Sequence, residues 1–458
     1  MKPHILIIAQ YFPPDVAGTS TRAYNAARGL RSQGCRVTVL TAFPHYPHGT
    51  IPEKYRRKTC SVEDHEGIRV IRTWVPAISH YTIARRIALH GSFILSSWLT
   101  GALRIRNVDV IMSMNPSFFS FFPAFMLKML YKKDIVHNVD DLWPEVWYDL
   151  GIVKSRNFKW VLDWIARHSY RVPVAITPIS HSYVHTLTHK YHIQEDKIFV
   201  IEHGVDTSRF YRTDNIAARS LEGIIKHDAD YKADMTGTIV TTKQPSLAPQ
   251  GNLTVMPASS KATENCESEL NTLILYSGAL SIGYDFEPVI KAAKVLNEKR
   301  VRFILRGAGT SANDVENLKL MIKQLEVKNV QIKTERLPPE ELVNLLNQAD
   351  IFLLPMSFVG FDMGLPTKVL EYQALGKPIV CISNGEAADY ISKTRSGLVS
   401  RDRDPDKIAG LILKLVNNKQ LATELGNNGY LHIQQNLTLE KIGQRFMTVI
   451  GTRCRYRR

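Results

Sequence analysis

Residues 364–381, GLPTKVLEYQALGKPIVC, decide the fold. Pro366 precedes a stretch whose apolar residues recur at helical spacing, Gly376 is placed to end that helix, and Pro378 leads into the apolar run Ile-Val-Cys. A helix followed closely by a buried strand is the repeating unit of a parallel α/β sheet. The stretch therefore predicts one helix-strand unit of a Rossmann-like domain.

Two charged residues of this helix are candidates for ligand binding. Lys368 and Glu371 are three residues apart, so they lie on the same side of the helix in its N-terminal half. The N-terminus of a helix in this position points at the crevice where open α/β sheets bind ligands. A surface salt bridge between the two side chains is the alternative interpretation.

The alternation of strand-like and helix-like stretches extends in both directions from residues 364–381. In the first half, strands are predicted at residues 4–9, 36–41, 68–74, 108–112, 135–139 and 174–177, with a last strand within 197–210 before a turn at Gly204. In the second half they are predicted at residues 272–277, 301–305, 330–333, 351–355 and 378–383. Between the halves, residues 213–270 are rich in Ser, Thr, Pro and Asn, which is typical of a disordered insertion or linker.

The predicted fold class is therefore α/β, with two Rossmann-like, doubly wound domains that face each other across a cleft. We expect an N-terminal domain at residues 1–212 on the acceptor side of the cleft and a nucleotide-binding domain at residues 271–437. A C-terminal helix and basic tail follow at residues 438–458.

Composition limits the classes of partner. A formal net charge of +15 predicts an acidic partner, which leaves nucleic acid, a phosphorylated small molecule or an anionic membrane surface. The sequence contains no zinc-finger spacing, basic heptad region or RNP-like strand, so we expect no nucleic acid. Five scattered cysteines without a C-x-x-C pair predict neither disulfides nor zinc, and the short first apolar run predicts a buried strand rather than an export signal. A cytoplasmic protein is expected.

Two glycine-containing turns are candidates for binding phosphate. Gly18 lies in the loop of residues 10–22 between the first strand and the first helix. In the second half, a strand runs into Arg306, Gly307 and Gly309, where the arginine would supply positive charge. Ordinary tight turns explain both patterns as an alternative.

Asp402 and Asp404 form a D-x-D pattern, but Asp404 before Pro405 is also a standard helix N-cap. We predict a cap and no metal site.

Several motifs in order along the chain resemble the retaining family-4 glycosyltransferases of GT-B fold. In the second half these are HGVDTSRF at 203–210, YSGALSIGYDFEPVIKAAK at 276–294, RGAG at 306–309, NGEAADYI at 384–391 and the unit at 364–381. In the first half they are AQYFPPDVAGTSTRAYNAARGL at 9–30, TAFPHYPHG at 41–49 and DDLWPEVWYDLG at 140–151. The subgroup that adds amino or deoxy sugars during surface-polysaccharide assembly is the most similar one.

The resemblance implies donor contacts in the C-terminal domain. Glu371 corresponds to the second carboxylate of the family's E-x7-E element, which is expected to bind the ribose hydroxyls, whereas the first carboxylate is replaced by Met363. The family's arginine and lysine after Gly278 are replaced by Ala279 and Tyr284, so Arg306 and Lys368 are expected to carry the phosphate-binding charge. The full set of implied donor-binding residues is Gly18, Arg306, Gly307, Gly309, Leu365, Pro366, Lys368 and Glu371.

On the acceptor side, Asp140, Asp141 and Glu145 are candidates for orienting the acceptor hydroxyl or for base assistance. His137 and Trp143 are expected beside them, although Asp141 and Trp143 could equally be structural.

Residues 87–103 form an apolar run between Arg85-Arg86 and Arg104 and Arg106. The run is short for a membrane span, so an interfacial helix on an anionic membrane and a buried helix against the sheet are both open. A second apolar run at 117–131 slightly favours the membrane interpretation. Peripheral attachment to the inner face of the cell membrane is expected.

The function predicted from the sequence is transfer of a sugar from a nucleotide diphosphate sugar, such as a UDP-sugar, to a lipid-linked or glycan acceptor with retention and without a metal or other cofactor. A sugar-nucleotide 2-epimerase of the same fold and a catalytically silent sugar-nucleotide-binding protein are the alternatives.

Overall fold

The computed structural model describes residues 2–456 except 16, 47–48, 79–82, 115, 150, 152, 213–271, 282, 310–311 and 359–363. The predicted insertion at 213–270 thus lies outside the described residues. Two separate α/β sheets flank it, which confirms the predicted fold class.

The first sheet is built from β1 (His4–Ile8), β2 (Arg36–Ala42), β3 (Cys60–His65), β4 (Ile68–Thr73), β5 (Val110–Ser113), β6 (Asp134–Val139) and β7 (Ala175–Pro178). Its strand order is β3-β4-β2-β1-β5-β6-β7, and all neighbours are parallel except the β3–β4 pair. The order reverses between β1 and β5. Loops at the carboxyl ends of these two strands therefore border a crevice of the kind that binds ligands in open sheets.

The helices of this half are α1 (Gly18–Ser32), α2 (Ile83–Arg104), α3 (Ser117–Tyr131), α4 (Glu145–Asp149), α5 (Arg156–Arg171) and α6 (Ser182–His185). Buried residues of α2 such as Leu89 and Phe93 pack on the sheet. Across the described part of the chain, no helix is both long enough and apolar enough to cross a membrane.

The second sheet contains β8 (Thr272–Ser277), β9 (Val301–Arg306), β10 (Val330–Lys333), β11 (Ile351–Pro355), β12 (Ile379–Ile382) and β13 (Gly397–Ser400). Its order is β10-β9-β8-β11-β12-β13 and all pairs are parallel. The reversal lies between β8 and β11. This sheet has the doubly wound strand order of a Rossmann fold.

The helices of the second half are α7 (Glu287–Val295), α8 (Ala312–Gln324), α9 (Pro339–Asn347), α10 (Thr367–Ala374), α11 (Glu386–Thr394), α12 (Pro405–Asn417), α13 (Lys419–Asn436) and α14 (Leu439–Arg453). Gly376 has a φ of 69°, as the end of α10 requires. Asp404 caps α12 by accepting from the N–H groups of Asp406 and Lys407 at 3.0 and 3.4 Å, so the predicted cap is confirmed.

The last helix returns to the first domain. Helix α14 packs against α1, and a β-carbon added at Gly443 would lie 1.9 Å from the Gly29 carbonyl oxygen. An ion pair of 2.5 Å joins Arg445 to Glu202. The close approach of two glycines lets the helix backbones touch, and it ties the chain end to the N-terminal domain.

The structure corrects one strand prediction. Residues 197–204 form no regular strand, although an isolated parallel bridge joins Ile198 to Ile176. Two backbone hydrogen bonds, from Phe199 to Ile176 and from Ile201 to Pro178, hold this segment beside β7. The apolar residues thus extend the sheet edge without the continuous ladder that a strand needs.

Candidate functional site

Helix α10 is fixed to the reversal point of the second sheet. The Tyr372 hydroxyl accepts from the Ser277 N–H at 2.9 Å and donates to the Ser277 carbonyl at 3.1 Å. The Tyr372 ring stacks on Phe352 with ring centroids 3.9 Å apart. These contacts anchor the helix to the ends of β8 and β11, so its polar side is held at the cleft.

Lys368 lies in the first turn of α10, over the turn that follows β8. Its Nζ donates to the Tyr276 hydroxyl at 2.7 Å and is 3.8 Å from the centre of the Tyr284 ring. A β-carbon added at Gly278 would lie 2.2 Å from this Nζ, so the glycine leaves room for the amine. Burial lowers the pKa of Lys368 from its ordinary value to about 7, against the opposing charge of Glu371.

Glu371 follows one turn later on the same side of the helix. Burial raises the pKa of Glu371, and the charges of Arg209 and Lys368 oppose that shift. Lys368 and Glu371 form no ion pair with each other, although both belong to the described part of α10 and both remain partly accessible. The structure therefore does not contain the salt bridge between Lys368 and Glu371 that the alternative interpretation predicts. Lys368 and Glu371 thus stand on the same side of α10, and within the described residues neither forms an ion pair.

The Gly307 turn packs tightly against the Gly278 turn. Gly307 has a φ of 148°, and a β-carbon there would lie 1.6 Å from the Gly278 carbonyl oxygen. The Gly307 N–H donates to the Lys333 carbonyl at 2.9 Å. The glycine thus permits a close approach of two backbones, and its N–H is used within the protein. This favours the tight-turn interpretation of the Arg306–Gly309 motif.

Arg306 is only 6% exposed and donates from its guanidinium to the Glu335 carbonyl. Desolvation lowers the pKa of Arg306, and the charge of Glu335 opposes this shift. The structure therefore directs this guanidinium towards the loop after β10. Of the two cations predicted to meet the donor phosphates, Lys368 is the one that lies over the β8 turn.

The remaining donor-side predictions lie at helix starts. Leu365 is buried, and Pro366 occupies the N-cap position of α10 with extended backbone. Gly18 begins α1 after Ala17, which gives no side-chain cap, and an added β-carbon at Gly18 would contact nothing within 4 Å. There is thus space beside the Gly18 α-carbon at the start of α1.

His137 is corrected from the acceptor side to the protein core. The residue is 0% exposed, and its Nδ1 lies 2.7 Å from the Ser113 hydroxyl. Burial lowers the pKa of His137 to about 3, so the ring is neutral at physiological pH. Its ring packs against Phe121 and Tyr170 under the helices. Alternate residues of β6 face opposite sides of the sheet, and His137 faces the side that α3 and α5 cover.

Glu145, a predicted catalytic candidate, makes contacts that anchor the fold. Its Oε1 accepts from Lys190 Nζ at 2.8 Å and from the Tyr191 hydroxyl at 2.5 Å. These bonds hold α4 against residues 186–191. One oxygen of the carboxylate is thus used to hold the fold, whereas Oε2 is buried without a hydrogen-bond partner among the described residues.

Trp143 also makes structural contacts. Its ring packs edge-on against Trp147 with centroids 5.0 Å apart, and its carbonyl accepts from the Tyr170 hydroxyl at 3.0 Å. This supports the structural alternative for Trp143.

Asp140 lies at the carboxyl end of β6 and is 0% exposed. Its Oδ1 accepts from the Asn138 amide at 2.7 Å and is 3.9 Å from His203 Nε2. Asp141 lies next to it and is half-buried. Burial raises the pKa of Tyr183, and the charge of Asp141 adds to that shift. Asp140 is thus enclosed beside His203, whereas Asp141 remains partly accessible.

The two domains meet beside these residues. The Tyr183 hydroxyl, from the first domain, lies 3.3 Å from the position of a β-carbon at Gly364, just before α10. Ser180 donates a hydrogen bond to Glu386 at the start of α11. The acidic residues after β6 and the start of α10 therefore border one cleft.

Sequence reasoning missed two residues of this cleft, Arg22 and His203. The charge of Arg22 acts on His203 and Tyr183 in the first domain and on Tyr284 in the second. Within the described residues Arg22 forms no ion pair, and its Nε is buried without a hydrogen-bond partner. Burial lowers the pKa of His203 well below its ordinary value. Arg22 lies four residues after Gly18, and this spacing of one helical turn was a usable signal.

Two family models match consecutive parts of the chain. "Glycosyltransferase Family 4" matches residues 16–209, and "Glycosyl transferases group 1" matches residues 262–432. The two matches correspond to the first and second sheets in order.

Among curated proteins, a D-inositol 3-phosphate glycosyltransferase of Corynebacterium jeikeium is 27% identical over 38% of this chain and 44% of its own length. A putative colanic acid biosynthesis glycosyltransferase, WcaL of Escherichia coli, is 28% identical over 26% of this chain and 30% of its own length. The chain therefore spans less than half the length of these relatives.

Solved structures resemble the whole chain. Sucrose-phosphate synthase from Thermosynechococcus elongatus has a TM-score of 0.69 at 14% identity and covers 98% of this chain and 99% of its own. Anabaena HepE in complex with UDP and glucose has a TM-score of 0.62 at 14% identity, with 98% and 100% covered. At 14% identity, this similarity shows that the chain shares the fold of these proteins. The two family matches, which fall one on each domain, and the shared two-domain fold together support placing the chain in the GT-B, family 4 class of glycosyltransferases.

Proposed function

We propose that this protein transfers a sugar from a nucleotide diphosphate sugar to an acceptor in cell-surface polysaccharide biosynthesis. The observation that carries the proposal is the position of Lys368 and Glu371 on α10, at the reversal point of the second sheet, with no ion pair to either side chain from the part of the chain that the structure describes. A cation suits the donor diphosphate, and a carboxylate suits ribose hydroxyls. The names of the curated relatives, glycosyltransferases of inositol phosphate and of colanic acid biosynthesis, support the same class of reaction.

In this proposal the protein stabilises charge on the departing diphosphate and performs little covalent chemistry itself. Lys368 supplies a positive charge from the second domain and Arg22 supplies one from the first, with Arg306 more distant. These side chains supply the positive charge that the family's arginine and lysine, replaced here by Ala279 and Tyr284, would otherwise supply. No metal or other cofactor is required, and a UDP-sugar is the proposed donor.

Asp140 and Asp141 are proposed to orient the acceptor hydroxyl, and His203 is placed to support Asp140 across 3.9 Å. Retention at the anomeric carbon and an amino or deoxy sugar are proposed from the sequence resemblance. We further propose a lipid-linked or glycan acceptor, and peripheral attachment at the cytoplasmic membrane face through residues 87–103 of α2, as the region where transfer takes place.

The test is an assay of UDP release from a panel of UDP-sugars, with and without lipid-linked acceptors. We expect release to depend on acceptor and to fall at least about tenfold in Glu371→Gln, since a neutral amide accepts hydroxyl hydrogen bonds less strongly. Glu316→Gln, which alters an exposed pair with Lys319 on α8, is the matched control.

Two outcomes would replace the proposal. A changed sugar with no acceptor added would identify a 2-epimerase. UDP-sugar binding without any turnover would identify a silent binding protein.

A further inference from the structure

Three helices of the N-terminal domain lie on the same face of the first sheet. The connections from β4 to β5, β5 to β6 and β6 to β7 all run in one direction across the sheet, opposite to that from β1 to β2. Right-handed crossovers therefore place α2, α3 and α5 on one face and α1 on the other. Helix α3 contacts both α2 and α5, so the three form a continuous layer.

This layer exposes large apolar side chains on every helix. The most exposed are Leu103 at 74%, Trp160 at 70% and Met129 at 64%. The full set is Ile87, Leu95, Leu99 and Leu103 on α2, Phe125, Met129 and Leu130 on α3, and Phe158, Trp160, Val161 and Trp164 on α5. By comparison, the exposed large apolar residues of the second half are Val295, Leu320 and Leu431 in the described residues. Apolar surface concentrated on one face marks an interaction site.

The charges around this layer favour an anionic partner. Helices α2 and α3 contain no Asp or Glu. Basic residues that are exposed or partly exposed stand at the helix ends and in the adjoining loops: Arg85, Arg86, Arg104, Arg106, Lys132, Lys133, Lys154 and Arg156. A second copy of the chain on a two-fold axis would bring like charges together, whereas anionic lipid headgroups would neutralise them.

The N-terminal part of α2 borders the cleft. His90 Nδ1 lies 2.7 Å from the Gln10 side-chain oxygen, and Gln10 begins the loop that leads to Gly18. The His90 ring also stacks on Phe119 of α3 at 4.1 Å. A bilayer that contacts the layer would therefore lie close to the loop at the cleft.

We propose that α2, α3 and α5 together form a docking face for an anionic lipid bilayer, with Trp160 and Trp164 of α5 as its interfacial anchors. Tryptophan is enriched at the headgroup level because its ring combines an apolar body with a polar N–H. Leucine, isoleucine and methionine of α2 and α3 add apolar area, and the basic residues add electrostatic attraction. The inference rests on the proposed membrane site of action, and it assigns the anchor to a helix other than α2.

The test is flotation of the full chain with vesicles of phosphatidylcholine, with and without phosphatidylglycerol. We expect binding that needs phosphatidylglycerol, weakens in high salt, and falls about tenfold or more in Trp160→Ser/Trp164→Ser. Tryptophan fluorescence should shift to shorter wavelength on binding in the wild type, and this shift should be largely lost in the double variant. Leu320→Ser, an exposed apolar residue of α8 in the second domain, is the control and should bind as the wild type does.

UDP affinity and thermal unfolding of the double variant should match the wild type, which separates this inference from the proposed function and from misfolding. Unchanged vesicle binding of the double variant would overturn the assignment to α5. Failure of the wild type to bind vesicles would overturn the docking face. Self-association that the double variant abolishes, without vesicle binding, would assign the face to a second copy of the chain instead.

Discussion

Two polar groups of the first domain, Glu145 and His137, differ from Lys368 and Glu371 of the second domain in how they are bonded. In the first domain, Glu145 is bonded to Lys190 and Tyr191, and the neutral ring of His137 is bonded to Ser113 inside the core. In the second domain, Lys368 and Glu371 lie close together without an ion pair between them, and burial shifts the pKa of each towards its neutral form. Buried charge costs free energy unless it is paired. We therefore propose that Glu145 and His137 stabilise the fold, and that Lys368 and Glu371 bind the donor.

The largest expected effect is on donor affinity when Lys368 is replaced. Lys368→Met should weaken UDP binding by about tenfold to a hundredfold, because a hydrogen bond to a charged group contributes roughly 1.5–3 kcal/mol. Uridine, which lacks the diphosphate, should bind the variant as well as it binds the wild type. Isothermal titration calorimetry with both ligands measures the difference.

Lys291→Met is the matched control, since Lys291 is exposed on α7 and pairs with Glu287. An equal loss of UDP and uridine affinity in Lys368→Met would mean that the lysine shapes the site and does not contact phosphate.

The same lysine predicts a pH dependence of donor affinity. Its pKa lies at about 7 in the free protein, so the amine loses its charge as the pH rises through 7. A bound diphosphate favours the charged form, and UDP affinity should therefore be highest below this pH and fall above it, by up to about tenfold per pH unit. Tyr276, Tyr284 and Glu371 face the amine, and Lys368→Met separates their titration from that of the lysine. A UDP affinity that stays constant from pH 6 to 9 would contradict the prediction.

The free energy of unfolding should rise with pH where UDP affinity falls. Between the folded pKa of about 7 and the ordinary value of 10.5, the unfolded chain keeps the proton that the folded chain has lost. This contribution to the free energy of unfolding therefore rises with pH across that window, and Lys368→Met should remove the rise.

The smallest expected effect on donor affinity is that of Glu145→Gln. Loss of its bonds to Lys190 and Tyr191 should lower the free energy of unfolding by about 1–2 kcal/mol and leave UDP affinity unchanged. Chemical denaturation and calorimetry on the same preparation measure both quantities. Turnover lost at temperatures where the variant is fully folded would restore Glu145 as a catalytic residue and break the contrast between the two domains.

The sequence predicted the elements that position the second-domain side of the cleft. Helix α10, which contains Lys368 and Glu371, has a proline before it and a glycine after it. These local signals determine its ends. Strand β3 was missed because its sequence CSVEDH is polar, as an edge strand allows. Strand β13 was missed because its sequence GLVS begins with glycine, which is depleted in strands, and contains only two apolar residues.

The first-domain residues were harder to predict. His137 lies on a strand that is covered on both faces, so the apolar pattern does not show which way its side chain points. The partners of Glu145 are 45 and 46 residues away in sequence, which local reasoning does not detect. Arg22 acts across the cleft on Tyr284 of the other domain, and only the folded arrangement brings them together.

The most direct test of the account is a crystal structure of the full chain with UDP. We expect the diphosphate between the two domains, with a phosphate oxygen within hydrogen-bond distance of Lys368 Nζ and a ribose hydroxyl donating to the Glu371 carboxylate. UDP bound away from α10, or bound there with Lys368 still directed only at Tyr276 and Tyr284, would contradict the claim that this pair is kept for the donor.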